Sequence, residues 1–347
     1  MTPFTHSTSK LQYDSLNSMS FPIRMPLEPD ESGRGYLLRL CALNSVEAFI
    51  EGTPPVKVRG ANLSELDAPL ISHWFGESVP RLRWALGADF SLTNDRRTIF
   101  AGHRFSRPSS INRTRPRVCA ECLLHDGVCR LSWEITLVTA CHRHRVGLID
   151  RCQVCQASIR WGRPSPSSCH CYCFFSSSSL ENEPQEVEFE FEHWVHLQAR
   201  LKSPDAAIAT EADALMKAAT PSSALMQVVW PMSLDAGLLI TLALSTAAGS
   251  PFVPRVDSDR PRSYLNRAQA AIRGANELAT HIQDQRYAQM YIGSSKKAFE
   301  LIAYCLNHQF SPADRGFAQS LLITLTKRYK IQRWSSAKPQ LSQYLLF

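Results

Sequence analysis

The hydrophobic positions along this chain predict a protein built mainly from α-helices. In the C-terminal half, apolar residues recur at spacings of three and four, which puts them on one face of a helix. The longest such stripe consists of Leu265, Ala268, Ile272, Ala275, Ala279 and Ile282. A second helix is predicted from the similar stripe of Phe299, Ile302, Ala303 and Leu306, and a third is predicted to begin at Ser311, with Phe317, Leu321 and Leu325 turned inward. The apolar run from Gly237 to Gly249 predicts a buried helix. We interpret these faces as the core of a C-terminal helical domain.

Three shorter helices are predicted in the N-terminal part. The first is capped by Asp30 or Ser32, the second is capped by Ser64 and ends at Gly76, and the third is capped by Ser78. A helix, a tight glycine turn and another helix are typical of a helix-turn-helix, although any helical hairpin has the same pattern. The last of these helices carries candidate contacts to nucleic acid or to a protein partner, Arg81, Arg83 and Trp84.

One segment departs from the helical pattern. The sequence EVEFEFE at residues 186–192 strictly alternates polar and apolar side chains, as a half-buried strand does. We therefore expect a strand here, before the C-terminal helices, which are predicted to begin near His193.

Basic residues are distributed unevenly along the chain, which has 347 residues and a formal net charge of +7. Residues 96–118 contain seven arginines and no acidic residue, and residues 315–347 contain six Lys or Arg residues and again no acid. Such runs favour contact with nucleic acid or an acidic protein surface, although they also occur on solvated faces. The first run is interpreted as an ordered linker with the candidate contacts Arg104, Arg107, Arg113 and Arg115.

Cysteine usage is typical of a reducing compartment. Nine of the eleven cysteines lie between Cys119 and Cys173, and the first residues show no apolar segment of a signal peptide. The longest apolar run is also too short to cross a bilayer. We therefore expect a cytoplasmic protein without membrane contacts, in which clustered thiols hold a metal ion and do not form disulfides.

Four residues have the spacing of a closed zinc site. Cys119 and Cys122 form a C-x2-C pair, and Cys141 and His144 form a C-x2-H pair. The turn of a C-x2-C pair points both sulfur atoms at one ion, and three thiolates with one imidazole complete a tetrahedron that leaves no position for water. We therefore predict a structural Zn2+ ion here. His142 is predicted to be a bystander, because adjacent side chains rarely converge on one ion.

A second Zn2+ site is predicted at Cys152 and Cys155, which form another C-x2-C pair. Cys169, Cys171 and Cys173 offer three thiols for the two remaining positions. We favour Cys171 and Cys173, with Cys169 as the substitute. The alternative, a set of buried or disulfide-bonded cysteines, does not account for three pairs with ligand spacing. Core thiols are predicted at the cysteines that lack such partners, Cys41, Cys129 and Cys305.

The sequence favours a structural role for zinc over a catalytic one. The chain lacks the H-E-x-x-H and deaminase patterns of zinc enzymes, the phosphate-binding loop of nucleotide enzymes and the G-x-S-x-G elbow of hydrolases. We therefore expect a protein that is not an enzyme.

The residues around the cysteines resemble the signature of the TniQ/TnsD family. The shared order is Arg-x-Arg-x-Cys-x-x-Cys-Leu, Arg-Leu-x-Trp, Thr-x-Cys-x-x-His and Leu-x-x-x-Cys-x-x-Cys. In this chain the elements are Arg115, Arg117, Cys119, Cys122 and Leu123; Arg130, Leu131 and Trp133; Thr139, Cys141 and His144; and Leu148, Cys152 and Cys155. The N-terminal start of the family signature is similar to residues 29–40. Together with the cysteine motifs, the resemblance covers roughly residues 26–175. The chain departs from the family at Ala120, where proline is usual, and at Gln156, where glycine is common.

Membership of this family implies target-site selection in DNA transposition without catalysis. Such proteins mark a DNA site for an AAA+ ATPase regulator, which then recruits the transposase. One branch reads target DNA directly, and another resembles a homodimeric adaptor on a CRISPR effector complex with its guide RNA. We favour the guided-complex adaptor, because the basic excess is small for a stand-alone DNA reader. The alternative is a zinc-containing, sequence-specific DNA-binding transcriptional regulator.

Together these observations predict four regions. Residues 1–22 are a flexible lead-in, and residues 23–95 are a helix-turn-helix-like domain. Residues 96–178 contain the arginine-rich linker and two zinc fingers of the zinc-ribbon type, and residues 179–347 are a helical domain. The predicted fold class is therefore mainly α, with two structural Zn2+ ions in the central region.

Overall fold

The computed structural model describes residues 20–46, 63–92, 95–176, 183–250, 252, 264–284 and 311–328. These residues are mainly α-helical, as predicted, and they belong to two compact units. The helices are α1 (Gly33–Leu43), α2 (Ala68–Phe75), α3 (Val79–Leu86), α4 (Ala120–His125), α5 (Glu186–Leu201), α6 (Ala206–Ala218), α7 (Ala224–Val229), α8 (Leu234–Ala247), α9 (Tyr264–Asp284) and α10 (Pro312–Arg328). The strands are β1 (Ala88–Leu92), β2 (Asp95–Phe100), β3 (His103–Phe105), β4 (Ala140–Cys141) and β5 (Val146–Gly147). The four predicted regions and their boundaries stay a prediction.

Helices α1, α2 and α3 lie in the first unit, and each begins where the sequence predicts. Ser32 caps α1 by accepting a backbone N–H. Ser64 and Asp67 form a reciprocal capping box in a short 3-10 turn that leads into α2, and Ser78 is the N-cap residue of α3. Between the last two helices, Gly76 has a φ of 78°, which glycine adopts without steric cost. The predicted pair of helices with its glycine turn is therefore present, and its role in reading DNA stays a prediction.

The first part of the arginine-rich segment is a β-sheet and not a linker. Strands β1, β2 and β3 form an antiparallel sheet in that order, and Ala88 pairs with Ile99 in its register. Strands β2 and β3 are joined through Ala101 and Gly102, whose φ values of 51° and 72° are those of a tight type I′ hairpin turn. The linker prediction was wrong for residues 96–105 because β2 and β3 are only six and three residues long and contain three arginines, so the hydrophobic alternation in the sequence is weak.

Helix α5 stands where the sequence predicted a strand. Residues on both sides of the alternating pattern are buried, namely Val187, Glu188, Phe189, Phe191 and Glu192. The two buried acids each have a partner: Glu188 accepts a hydrogen bond from Thr139 Oγ1 at 2.6 Å, and Glu192 accepts the backbone N–H of His142 at 3.1 Å. Glu190 accepts the backbone N–H groups of Ser222 and Ser223 just before α7, at 2.6 and 3.0 Å. Because Glu188 and Glu192 are buried together with the apolar positions, the alternation does not mark a half-buried strand, and the strand prediction was wrong.

Helix α8 forms the centre of the second unit. All of its residues are buried, which confirms the predicted buried helix. A Cβ atom added at Gly237 would lie 2.4 Å from the Trp194 ring, so glycine allows α5 and α8 to approach closely. The indole N–H of Trp194 donates to the carbonyl of Trp230 at 3.2 Å, which satisfies the buried polar atom.

The remaining long helices follow the predicted stripes in part. Helix α9 buries Leu265, Ala268, Ile272, Ala275 and Ala279, as expected, whereas Ile282 at the end of the stripe is only partly buried. Helix α10 buries Asp314, Ala318 and Leu321, at spacings of four and three, so its inner face lies one residue away from Phe317, which is 42% exposed. The prediction that Phe317 faces inward was therefore wrong, and the predicted helix around Phe299 lies outside the described residues. None of the described helices is long and apolar enough to cross a membrane.

Candidate metal centres

The structure brings the first predicted ligand set together. One ligand atom from each of Cys119, Cys122, Cys141 and His144 lies within 4.8 Å of the other three. Cys119 is the N-cap residue of α4 and Cys122 lies one helical turn later, so both sulfur atoms are on the same side. Cys141 Sγ and His144 Nδ1 are 3.8 Å apart, close to the sulfur–nitrogen distance of about 3.6 Å that tetrahedral zinc requires. The donor set and its spacing fit a metal ion.

Four thiols form a second group, all of them within the first unit. The sulfur atoms of Cys152, Cys155, Cys169 and Cys171 lie within 4.8 Å of one another. The distances from Cys152 to Cys171 and from Cys155 to Cys169 are both 3.7 Å. A disulfide would bring two sulfur atoms to about 2 Å, whereas two thiolates on one tetrahedral zinc lie about 3.8 Å apart. The geometry therefore fits a metal ion held by four thiolates.

The second group corrects the favoured ligand choice, because Cys169 and not Cys173 joins the other three thiols. The chain turns back between these two residues: the N–H of Cys169 donates to the carbonyl of Cys173 at 2.9 Å. Tyr172 closes the same turn by donating its N–H to the carbonyl of Cys169 at 2.8 Å. The Cys169 side chain is thereby buried against the cluster. Because the three thiols follow one another at equal spacing, the sequence alone does not distinguish them.

Burial and backbone amides act in opposite directions on the thiols of the second group. Burial raises the pKa of Cys169 to about 12, whereas the sulfur of Cys171 has a hydrogen bond from the backbone N–H of Cys173. The bond from Cys173 lowers the pKa of Cys171 to about 6, because a donor stabilises the charged form of an acid. Cys173 therefore contributes its backbone N–H where the sequence predicted its sulfur.

This ligand assignment leads to a prediction with a matched control four positions away in the same turn. Cys169→Ser should release one metal ion per chain, because serine does not replace a thiolate ligand. Cys173→Ser should retain the ion, because the backbone N–H remains. Metal content of the purified variants, measured by mass spectrometry, decides between them. Loss of the ion from the Cys173 variant together with its retention in the Cys169 variant would restore the sequence-based choice.

Buried arginines join the segments that carry the signature motifs in the first unit. Arg39 binds Glu31 through two nitrogen atoms, with distances of 2.8 and 2.6 Å. Arg130 pairs with Asp30 at 2.6 Å, across 100 residues of sequence. Arg117 is buried too and donates to the carbonyl of Trp133 at 2.7 Å. These motif residues thus hold the fold around the ligands and are not available as a contact surface.

Sequence reasoning missed one further pair in this network. The fully buried Arg34 donates to Glu134 at 2.9 Å and to the carbonyl of Leu63. The two charged residues are 100 positions apart, and neither belongs to a pattern with fixed spacing. No local signal in the sequence could have found them.

The candidate contact residues differ in their exposure. Arg81 is partly buried, pairs with Glu77 at 3.2 Å and donates to the carbonyl of Leu27, so it has contacts within the fold. The side chains of Arg83 and Arg104 are exposed. The partly exposed members of the predicted set are Trp84, Arg107, Arg113 and Arg115. Their part in binding nucleic acid or a partner stays a prediction.

The remaining cysteine and histidine predictions can be compared with their surroundings. Cys41 and Cys129 are buried outside both ligand groups, as expected for core thiols, and Cys305 lies outside the described residues. His142 does not belong to the first group. Its ring nitrogen and its backbone N–H both contact the carboxylate of Glu192.

A comparison with protein-family models agrees with the resemblance seen in the sequence. The model of the TniQ family matches residues 22–148. This range includes α1 to α4, the three-stranded sheet and all four residues of the first ligand group. A search of curated proteins found no match to the chain.

Proposed function

We propose that this chain, a TniQ family protein associated with transposition, is a non-catalytic adaptor that selects the target site for DNA transposition. It bridges a target-recognising complex to an AAA+ ATPase regulator and the transposase. The target is found by a CRISPR effector with its guide RNA, or by direct contact with target DNA. The observation that carries this proposal is the TniQ match over residues 22–148, in which the signature residues form one ligand group and a buried network.

The two ligand groups support a structural and not a catalytic role for the metal. We assign one Zn2+ ion to Cys119, Cys122, Cys141 and His144, and a second to Cys152, Cys155, Cys169 and Cys171. Four protein ligands fill the tetrahedron around each ion, so no position remains for a reacting water. Zinc supplies a cross-link that fixes short loops where a large apolar core is absent. A rigid, cross-linked surface suits a protein that holds partners in a fixed geometry.

The exposed arginines support a contact with phosphates or with an acidic protein surface. Arg83 lies on α3 and Arg104 on β3, both in the first unit, and both side chains are exposed. We favour the guided-complex adaptor, active as a homodimer in the cytoplasm, because a net charge of +7 on 347 residues is modest for a stand-alone DNA reader.

The decisive experiment is the selection of bound duplexes from a random DNA library at physiological salt. An adaptor whose target specificity comes from a partner complex should enrich no DNA sequence. It should co-purify with a guide-RNA complex or with the AAA+ regulator. Enrichment of one sequence with binding to the regulator would identify the direct-reading branch. Enrichment without that binding would favour the transcriptional regulator and would contradict the proposed role.

Charge reversal at Arg83 tests whether the exposed surface of α3 contacts a partner or DNA. Arg83→Glu should weaken binding to the regulator, the guided complex or DNA by about tenfold, because it puts a repulsive charge at the contact. The exposed Lys217 on α6 provides the control, since Lys217→Glu makes the same charge change at another surface. Equal binding by both variants in pull-down and transposition assays would exclude a contact at α3.

A further inference from the structure

The second ligand group carries an exposed apolar surface. Val154, Tyr172 and Phe174 are 67%, 72% and 70% exposed, although large apolar side chains are mostly buried elsewhere in the described part of the chain. We call these three residues the finger-tip patch. Single exposed apolar residues are ordinary, whereas a cluster with two aromatic rings marks a contact surface.

The ligand group joins the two segments that carry these three residues. Val154 lies between the ligands Cys152 and Cys155, and Tyr172 directly follows the ligand Cys171. The loops that carry them face each other, because the sulfur atoms of Cys152 and Cys171 are 3.7 Å apart. The side chain of Gln153 also bonds to both the carbonyl and the hydroxyl of Ser176, just beyond Phe174.

The two aromatic rings project from an ordered backbone. Tyr172 has a φ of 66°, and its N–H donates to Cys169, so the turn fixes its position. Phe174 is paired with Ser168 in an antiparallel bridge. Behind the turn, the buried Arg163 guanidinium lies 5.8 Å from the ring centre of Phe175 and bonds to the carbonyl of Pro166. Because the backbone that carries these rings is already ordered, a ligand that stacks on them does not have to order the turn.

The charge around the patch selects an anionic ligand. Residues 151–176 contain three arginines and one histidine and no acidic residue. Arg160 and His170 are exposed, and Arg151 is partly exposed. Exposed aromatic rings and exposed cationic groups in one short segment without acids combine the two features by which proteins hold single strands: stacking on bases and attraction to phosphates.

We propose that the finger-tip patch binds single-stranded DNA by stacking bases on Tyr172 and Phe174, with Arg160 near the phosphates. A duplex is excluded from this contact because its base faces are covered by neighbouring base pairs. This activity goes beyond the adaptor role, and it rests on the association with transposition only in the choice of DNA over RNA.

The test is fluorescence anisotropy with a labelled oligo(dT) of about 20 nucleotides, longer than the usual site of a single-strand binder. The zinc-loaded full chain is titrated at about 0.15 M salt. Tyr172→Ala and Phe174→Ala should each weaken binding by about tenfold. Tyr172→Phe keeps the ring and should keep the affinity, whereas Tyr172→Leu keeps an apolar side chain without a stacking face and should lose it.

The control is Leu66→Ala, because Leu66 is 77% exposed and lies outside the patch. It should bind oligo(dT) like the parent protein, and every variant should retain its zinc content. Equal affinity of the parent, Tyr172→Leu and a variant that combines Tyr172→Ala with Phe174→Ala would overturn the proposal. So would the same loss of binding to a duplex of equal length, or a preference of the parent for oligo(U). These outcomes are independent of the duplex selection that tests the adaptor role.

Discussion

Replacement of Cys119 by serine should release one zinc ion per chain and lower the midpoint of thermal unfolding by about 10 °C or more. Cys119 is fully buried and belongs to the first ligand group. Structural zinc contributes about 10–16 kcal/mol of binding free energy in small fingers, and this free energy is available only when the ligands are assembled by folding. Loss of one thiolate ligand removes most of this binding free energy. Metal content by mass spectrometry and unfolding by circular dichroism measure the two effects.

A buried thiol outside the ligand groups provides the control. Cys41 on α1 is fully buried, and Cys41→Ala should keep both zinc ions and lower the midpoint by only a few degrees. His144→Ala should behave like Cys119→Ser, because both remove a ligand of the same ion. If both ligand variants retain two zinc ions per chain, the assignment of the first group is wrong.

The ligand groups could be predicted from the sequence because the spacing of a C-x2-C pair is a local property. Two residues between ligands allow one turn to direct both side chains at an ion, wherever the turn lies in the fold. The choice between Cys169 and Cys173 depended instead on which way a short turn folds back, and equal spacing contains no information about that. The same limit applies to the finger-tip patch, since Tyr172 and Phe174 look like core residues until their exposure is known.

The predicted strand at residues 186–192 failed for a non-local reason. Period-two alternation indicates a strand only when one face is buried and the other is solvated. Here two of the acidic residues, Glu188 and Glu192, are buried as well, and Glu188 also binds Arg273 at 2.8 Å, 85 residues away. Local sequence contains the alternation but not the partners that make burial of the acids possible. The helical caps at Ser32 and Ser64, which depend on neighbouring residues alone, were predicted correctly.

The second large effect is expected at the ion pair that sequence reasoning missed. Arg34→Ala should lower the free energy of unfolding by about 3–5 kcal/mol, because it leaves the buried Glu134 carboxylate without its partner. The Arg34 side chain is fully buried and also bonds to the Leu63 carbonyl, so the substitution leaves a cavity and a second unpaired group. Urea unfolding at neutral pH measures the loss.

The double variant Arg34→Met with Glu134→Leu separates the charge from the packing. Replacing both partners by apolar side chains removes the unpaired charge, so the double variant should be more stable than Arg34→Ala alone. Because the pair is buried, about 1 M salt should leave the loss of unfolding free energy unchanged in both the single and the double variant. Salt would screen an exposed pair. Equal destabilisation of the single and double variants would show that packing around Arg34, and not its charge, is what joins α1 to Glu134. In that case the pair would stabilise the first unit through the packing of its side chains and not through its charges.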